Sequence, residues 1–265
     1  RVAHKIARKA AARTGPPLAP SPELTHEEKV AGFRQRAARH HRQRAALQRE
    51  ALLLAGLSEE EAQTFIQRSM PQSTLFMAEI IPVLHRLYAP LPRGAVRSVL
   101  DVGPQNFSGT ALLQAIHERR AFTQLKLKVS AIDIVDRFAL LREIVAPRVK
   151  FIHGNVFDLE PGSFDTIIAS HVVEHVPDPE RFVHQLQRVA NDYVIIATPW
   201  QEELPLTRSH INVIDEAFVE SVGGEHLTVF TNYSWGKDRQ VCIFVVPARA
   251  EDRALDAVTS TPEIA

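Results

Sequence analysis

Val96-Arg97-Ser98-Val99-Leu100-Asp101-Val102-Gly103-Pro104 is the stretch on which the architecture turns. A short apolar run ending at a glycine reads as a strand that stops where the backbone must turn sharply. A loop and a helical pattern, Ala111 to Arg119, follow it. The same alternation continues downstream. Val129 to Ile134 is a strand and the segment from Phe138 to Ile144 a helix. Val149 to Ile152 is a third strand, and Thr166 to Ala169, after the turn Pro161-Gly162-Ser163, a fourth. Pro179 to Val189 is a helix with Phe182, Leu186 and Val189 on one face, and Tyr193 to Ala197 a fifth strand. Regular strand-helix alternation predicts an α/β fold with a mostly parallel sheet covered on both faces. Leu227 to Phe230 and Val241 to Val246 have only Thr231 to Gln240 between them. That gap is too short for a helical crossover, so the last strand is expected to pair antiparallel.

Upstream, the texture is helical. Thr25 is placed to cap a helix with Glu27 and Glu28 in its first turn, and Phe33 to Leu54 is rich in good helix formers. Gly56 should end that helix. Ser58-Glu59-Glu60-Glu61 is a capping-box pattern with Leu57 as a staple. A second helix is expected to reach Arg68 and to break at Pro71. A third begins near Ser73, and Pro82 should kink or divide it. The expected organisation is a basic flexible tail over 1–24, a helical lid or interaction region over 25–92, the α/β domain over 93–250 and a C-terminal tail over 251–265.

The 265 residues carry 31 Lys and Arg against 31 Asp and Glu. That balance hides an asymmetry. Residues 1–50 hold 12 basic and 4 acidic side chains, so the remainder is equally acidic. The chain begins on Arg1 rather than Met, so a trimmed, tagged or processed start is expected. Arg1 to Arg13 is Arg-rich and acid-free in the manner of a transit peptide, although a solvated tail is the plainer reading. Cys242 is the single cysteine, which excludes an intrachain disulfide and a cysteine-based zinc site. A reducing, cytoplasmic setting is therefore expected. No apolar run approaches the ~20 residues of a membrane span.

In open parallel sheets, ligands sit at the carboxyl ends of the strands. Here those ends read Asp101-Val102-Gly103, then Asp133-Ile134, then His153-Gly154-Asn155-Val156-Phe157-Asp158. The fourth runs from Phe164-Asp165 through Ser170-His171-Val172-Val173-Glu174-His175-Val176-Pro177-Asp178-Pro179. Together these resemble the class I S-adenosylmethionine-dependent methyltransferases over about residues 96–247. The last stretch is similar to the branch acting in quinone biosynthesis. The resemblance implies a Rossmann-like, seven-stranded sheet, with S-adenosyl-L-methionine as methyl donor and S-adenosylhomocysteine as product. It implies that Asp101 and Gly103 line the methionine part, that Asp133 holds the ribose and that Ile134 packs on the adenine. Asn155 would meet the adenine amino group, with Val156 alongside. Ser170 and His171 would border the cofactor and the acceptor cavity. The family usually carries a second glycine where this chain has Gln105. Gln105, Asn106 and Ser108 would then supply hydrogen bonds to the cofactor carboxylate.

Two other constellations compete for attention. His171-Val-Val-Glu174-His175 formally fits H-x-x-E-H, a zinc-protease pattern that requires both histidines on one helical face. It follows a strand directly, and Pro177 and Pro179 lie just beyond, so no such helix is expected. No metal is called for. Under the resemblance His175 is a candidate acceptor-side base or part of a capped turn, and His210, in the segment expected to cover the acceptor pocket, a second candidate base or a loop histidine bonded to backbone. Trp200 is read as packing at a strand end. The basic run Arg34 to Arg44 could follow a phosphate backbone, but it lacks aromatic interleaving.

The expected activity is methyl transfer by in-line displacement to an oxygen, nitrogen or carbon atom of a small molecule. The alternatives are an RNA or protein acceptor on the basic helix, and a non-catalytic binding module in which Gln105 and Phe107 fill the methionine subsite.

Overall fold

The computed structural model describes residues 25–207, 209–231 and 239–248. The expected tails, 1–24 and 251–265, lie outside the described residues. The chain divides into two units, residues 1–46 and 47–265. The described part of the first is Thr25 and most of helix α1 (His26–Leu54). Thr25 caps it as expected. The Glu28 carboxylate accepts the Thr25 N–H at 2.7 Å, and Thr25 Oγ1 accepts the Glu28 N–H at 3.2 Å.

The second unit begins with the last turns of α1. Ser58 then forms a full capping box with Glu61 at the start of α2 (Glu59–Thr64). The expected break at Pro71 does not occur. A π-helical turn, Phe65–Ser69, widens the backbone, and Met70 bonds back to the Phe65 carbonyl. Pro71 then falls in the first turn of α3 (Met70–Leu87), where its missing N–H costs little. Pro82 does not divide α3 either; it lies on an exposed face within the helix.

The remaining elements follow the predicted alternation. They are β1 (Val96–Val102), α4 (Ser108–His117), β2 (Lys126–Asp133), α5 (Ala139–Val145), β3 (Lys150–His153), β4 (Phe164–Ser170), α6 (Pro179–Val189) and β5 (Ala190–Pro199). After them come α7 (Glu216–Ser221), β6 (Glu225–Thr231) and β7 (Gln240–Pro247). The sheet order is β3-β2-β1-β4-β5-β7-β6. The pairs from β3 through β5 are parallel, and β7 runs antiparallel to both β5 and β6. The fold is the Rossmann-like, seven-stranded sheet with helices before it.

Strand side chains alternate between the two faces, so neighbours enter different cores. Val99, Ala131, Ile168, Ile195 and Ile243 pack beneath α3, α4 and α5, with Ile80, Leu84, Leu113 and Leu141. Leu100, Ile132, Ile167, Ile196 and Phe244 pack beneath α6 and α7, with Val183, Leu186 and Val219. Burial of these apolar side chains on both faces fixes the register of the sheet. A one-residue slip would exchange the two cores.

Candidate cofactor and acceptor site

The strand order reverses at β1, whose neighbours are β2 and β4. At such a point the loops leaving the carboxyl ends diverge and open a crevice. A cleft of about 970 Å³ lies there. The loops after β1, β2, β3 and β4 form its floor and walls, and Ser69, Gln72, Ser73, Phe76 and Met77, in and before α3, line its other side.

Asp101, the next-to-last residue of β1, is buried, 4% exposed, and its carboxylate accepts the Thr110 hydroxyl at the start of α4. Burial pushes its pKa up to about 7; the Thr110 hydrogen bond opposes that rise and the Asp133 charge adds to it. Gly103 follows with φ +65°. A Cβ there would stand 2.9 Å from Val172 Cγ2, so the close approach of the two loops requires glycine. Gln105 is exposed on the cleft, at φ +43°. Asn106 also lines the cleft, but its amide ties the loop to the helix layer. Its Nδ2 donates to Ser69 O and Ser73 Oγ at 3.0 Å each, and its Oδ1 accepts from Ser108 N and Oγ. Phe107 turns away into the core, edge-on to Phe151 at 5.5 Å. It does not fill the cleft, as the binding-module reading required.

Asp133, at the end of β2, is half-buried. Burial raises its pKa, against backbone N–H groups of Val135, Gln105 and Ile134 that hold the ionised form. Ile134 beside it is 68% exposed, a large apolar surface on the cleft wall. Val135 and Phe157 extend that exposed apolar surface. Asn155 is exposed at the rim, and its Oδ1 accepts from Phe157 N at 3.1 Å; Val156 is buried against the cleft. Such a patch inside a crevice is a place for a flat apolar ligand face.

Beyond Ser170 the cleft reaches three histidines. The residues after β4 form a short 3₁₀ turn, Val173–His175, and not a helix, which removes the geometry of a zinc protease. His171, at φ +57°, places Nδ1 3.0 Å from Glu174 Oε1 and its ring edge-on to Phe76 at 4.1 Å. Glu174 is 1% exposed, and its Oε2 accepts the Thr198 hydroxyl at 3.0 Å. Burial alone would raise its pKa; the hydrogen bond and charge of His171 outweigh burial and lower it. His175 and His210 meet edge to face, ring centres 4.8 Å apart. His210 comes from a loop that the turn holds by its backbone. Ile211 N donates to Glu174 O at 2.9 Å, and Asn212 Nδ2 donates to Val176 O at 2.7 Å. Its Nδ1 bonds the Glu202 carboxylate.

The cleft thus gathers Asp101, Gly103, Gln105, Asn106, Asp133, Ile134, Asn155, Val156, Ser170, His171, His175 and His210. Trp200 is buried in the core under α6 and α7. The sequence reading missed the contributions of Thr110, Gln72 and Phe76. Thr110 lies one turn into the helix after the glycine loop, a spacing at which a hydroxyl can reach back to the strand end. Nothing local in Gln72 or Phe76 reveals that α3 crosses the cleft.

Comparison with known proteins bears on this arrangement. Residues 100–196 match a family model described as a methyltransferase domain. No curated protein matches the chain by sequence. Among solved structures, the CurJ carbon methyltransferase superposes with a TM-score of 0.53 at 10% identity, over 72% of this chain and 58% of that one. The carbon-methyltransferase domain of the citrinin polyketide synthase gives 0.53 at 16%, over 73% and 58%. The chain therefore spans under two thirds of either. The 1,6-didemethyltoxoflavin-N1-methyltransferase of Burkholderia thailandensis, solved with 1,6-didemethyltoxoflavin and S-adenosylhomocysteine, gives 0.50 at 15%, over 87% and 93%. The sheet order and the strand-end cleft agree with the match of residues 100–196 to a methyltransferase domain, and the fold is one that these solved methyltransferases share.

Proposed function

We propose that this protein transfers a methyl group from S-adenosylmethionine to a small-molecule acceptor held at the histidine end of the cleft. The observation that carries the reading is the continuity of one cleft. It runs from a buried acid and a positive-φ glycine, past an acid beside exposed apolar surface, to a cluster of histidines. The residues fit the cofactor. Asp101 offers a buried carboxylate for its ammonium group, Gly103 leaves room for its chain, and Gln105 would bond its carboxylate. Asp133 would receive the ribose hydroxyls, Ile134 would cover the adenine face, and Asn155 and Val156 would close its edge. When bound, the cofactor supplies a methyl group already activated on a sulfonium.

The chain has little covalent chemistry left to perform. It aligns donor and acceptor and keeps water out. Phe76 of α3 and the His171 ring close one side of the cleft beside Ser170. His171, His175 and His210 orient the acceptor atom and accept its proton where it has one. The reading is tested by calorimetry with S-adenosylhomocysteine, followed by a screen of small acceptors for methyl incorporation. Saturable binding that lowers the Kd of an acceptor supports it, whereas incorporation only into RNA or protein would replace it.

A further inference from the structure

A carboxylate in a cleft needs hydrogen-bond donors, and the loop after β1 has already spent most of its own. Both amide hydrogens of Asn106 go to Ser69 O and Ser73 Oγ, and Ser108 N and Oγ turn to Asn106 Oδ1 and Met70 O. Gly103 N donates to Ile132 O at 2.9 Å and Phe107 N to Pro104 O at 3.0 Å. The Gln105 N–H serves the Asp133 carboxylate, and the Thr110 hydroxyl serves Asp101. Asn106 and Ser108 are thus engaged with the protein itself, against the expectation that they would bond a cofactor carboxylate. The Gln105 side chain keeps its donors. The two arginines of the cleft lie elsewhere: Arg137 donates to Ala55 O at 2.6 Å, and Arg181 stacks 5.3 Å over the Phe157 ring.

Ser69, Gln72, Ser73 and Phe76, spaced three and four apart, present one helical face to the cleft. Two contacts locate that face. Ser73 is held by Asn106, and the Phe76 ring stands against His171. Gln72 is next to the first in sequence and one helical turn from the second. It is half-buried, and its amide has no hydrogen-bond partner among the described residues. A half-buried amide without a protein partner, on a cleft wall, is a donor kept for a ligand. We infer that Gln72 is a cofactor-binding residue whose amide, together with that of Gln105, donates to the carboxylate of the cofactor. The inference rests on the methyl-transfer reading for the identity of that cofactor. It gives α3 a part beyond covering the cleft. The helix recognises the amino-acid half of the ligand, and it does so with a neutral group. A ligand with the same nucleoside and sulfur but no amino acid gains nothing from Gln72. A negative charge at position 72 repels the carboxylate and leaves such a ligand untouched.

The test is calorimetry on the full-length parent, Gln72→Ala and Gln72→Glu, each titrated with S-adenosylhomocysteine and with 5′-methylthioadenosine, which lacks the amino acid. Thermal melts report that the variants are folded. A hydrogen bond to a charged group is worth a factor of roughly 10–100, so Gln72→Ala should weaken S-adenosylhomocysteine about tenfold and Gln72→Glu about a hundredfold, with 5′-methylthioadenosine held within about twofold. Equal loss of both ligands in folded variants gives Gln72 a structural part only and overturns the inference. So does unchanged S-adenosylhomocysteine binding in Gln72→Glu. A folded parent that binds neither ligand fails differently: it removes the methyl-transfer reading, and the inference with it.

Discussion

Asp101 illustrates how one residue can set function against stability. Burial pushes its pKa up to about 7, above the 3.8 of an ordinary aspartate. Between those values the folded state holds the extra proton, so stability falls as pH rises through roughly 4 to 7. Asp101→Asn removes that loss. The ligand-free variant is expected to melt higher than the parent at pH 8, by on the order of 1–3 kcal/mol, and to converge with it near pH 4. In the role proposed for Asp101, cofactor binding moves the other way, because only the ionised carboxylate would attract the cofactor ammonium. Affinity for S-adenosylhomocysteine in the parent should be about tenfold weaker at pH 6 than at pH 8, one pH unit below the pKa costing a factor of ten. A flat profile measured by calorimetry would place another group in that role.

Helices α3 and α4 meet closely. A Cβ on Gly109 would stand 2.8 Å from the Ser73 carbonyl, and the Asn106 amide ties the same two segments together. Gly109→Val should cost about 1–3 kcal/mol in denaturant unfolding and weaken cofactor binding, because Phe76 and Met77 would move with α3. The same pair of helices carries His85 and His117, whose Nε2 atoms face each other at 2.6 Å. Burial lowers both pKa values, that of His117 to about 4. The unfolded chain then binds more protons below pH 6.5, so this pair's contribution is present above 6.5 and is lost as pH falls towards 4. Melting curves between pH 7 and 5 should fall less steeply for His117→Leu than for the parent.

The first three strands were legible because each is short and closed by a glycine or an acid, namely Gly103, Asp133 and Gly154. The course of the chain through Pro71 was not. Proline signals a break locally, and only the π turn at Phe65–Ser69 reveals how the helix continues. Likewise the motif His171 to His175 showed its three polar residues but not that Glu174 faces inward. Nor did it show that His210, 35 residues on, would return to it through bonds to backbone carbonyls.

At the scale of the whole molecule, the basic first fifty residues and the acidic remainder are a property of sequence that the cleft does not use. No helix among the described residues is long and apolar enough to cross a membrane. Arg39, Arg42 and Arg44 of α1 are exposed. If they served a nucleic-acid acceptor, the affinity for a short RNA would fall steeply with salt, log K dropping linearly against log salt. The small-molecule account expects no saturable RNA binding by fluorescence anisotropy at physiological ionic strength. It also expects cofactor affinity to be indifferent to added RNA.

The central claim is that the strand-end cleft is an S-adenosylmethionine site despite Gln105 in place of the second glycine. Calorimetric titration of the purified protein with S-adenosylhomocysteine tests it most directly, with Asp133→Ala alongside and NAD as control. The account predicts one saturable site in the micromolar range, unaffected by NAD. It predicts at least 100-fold weaker binding in the variant, since two charge-assisted hydrogen bonds of about 1.5–3 kcal/mol each are lost. Absence of heat from folded protein, or equal binding by Asp133→Ala, would contradict it.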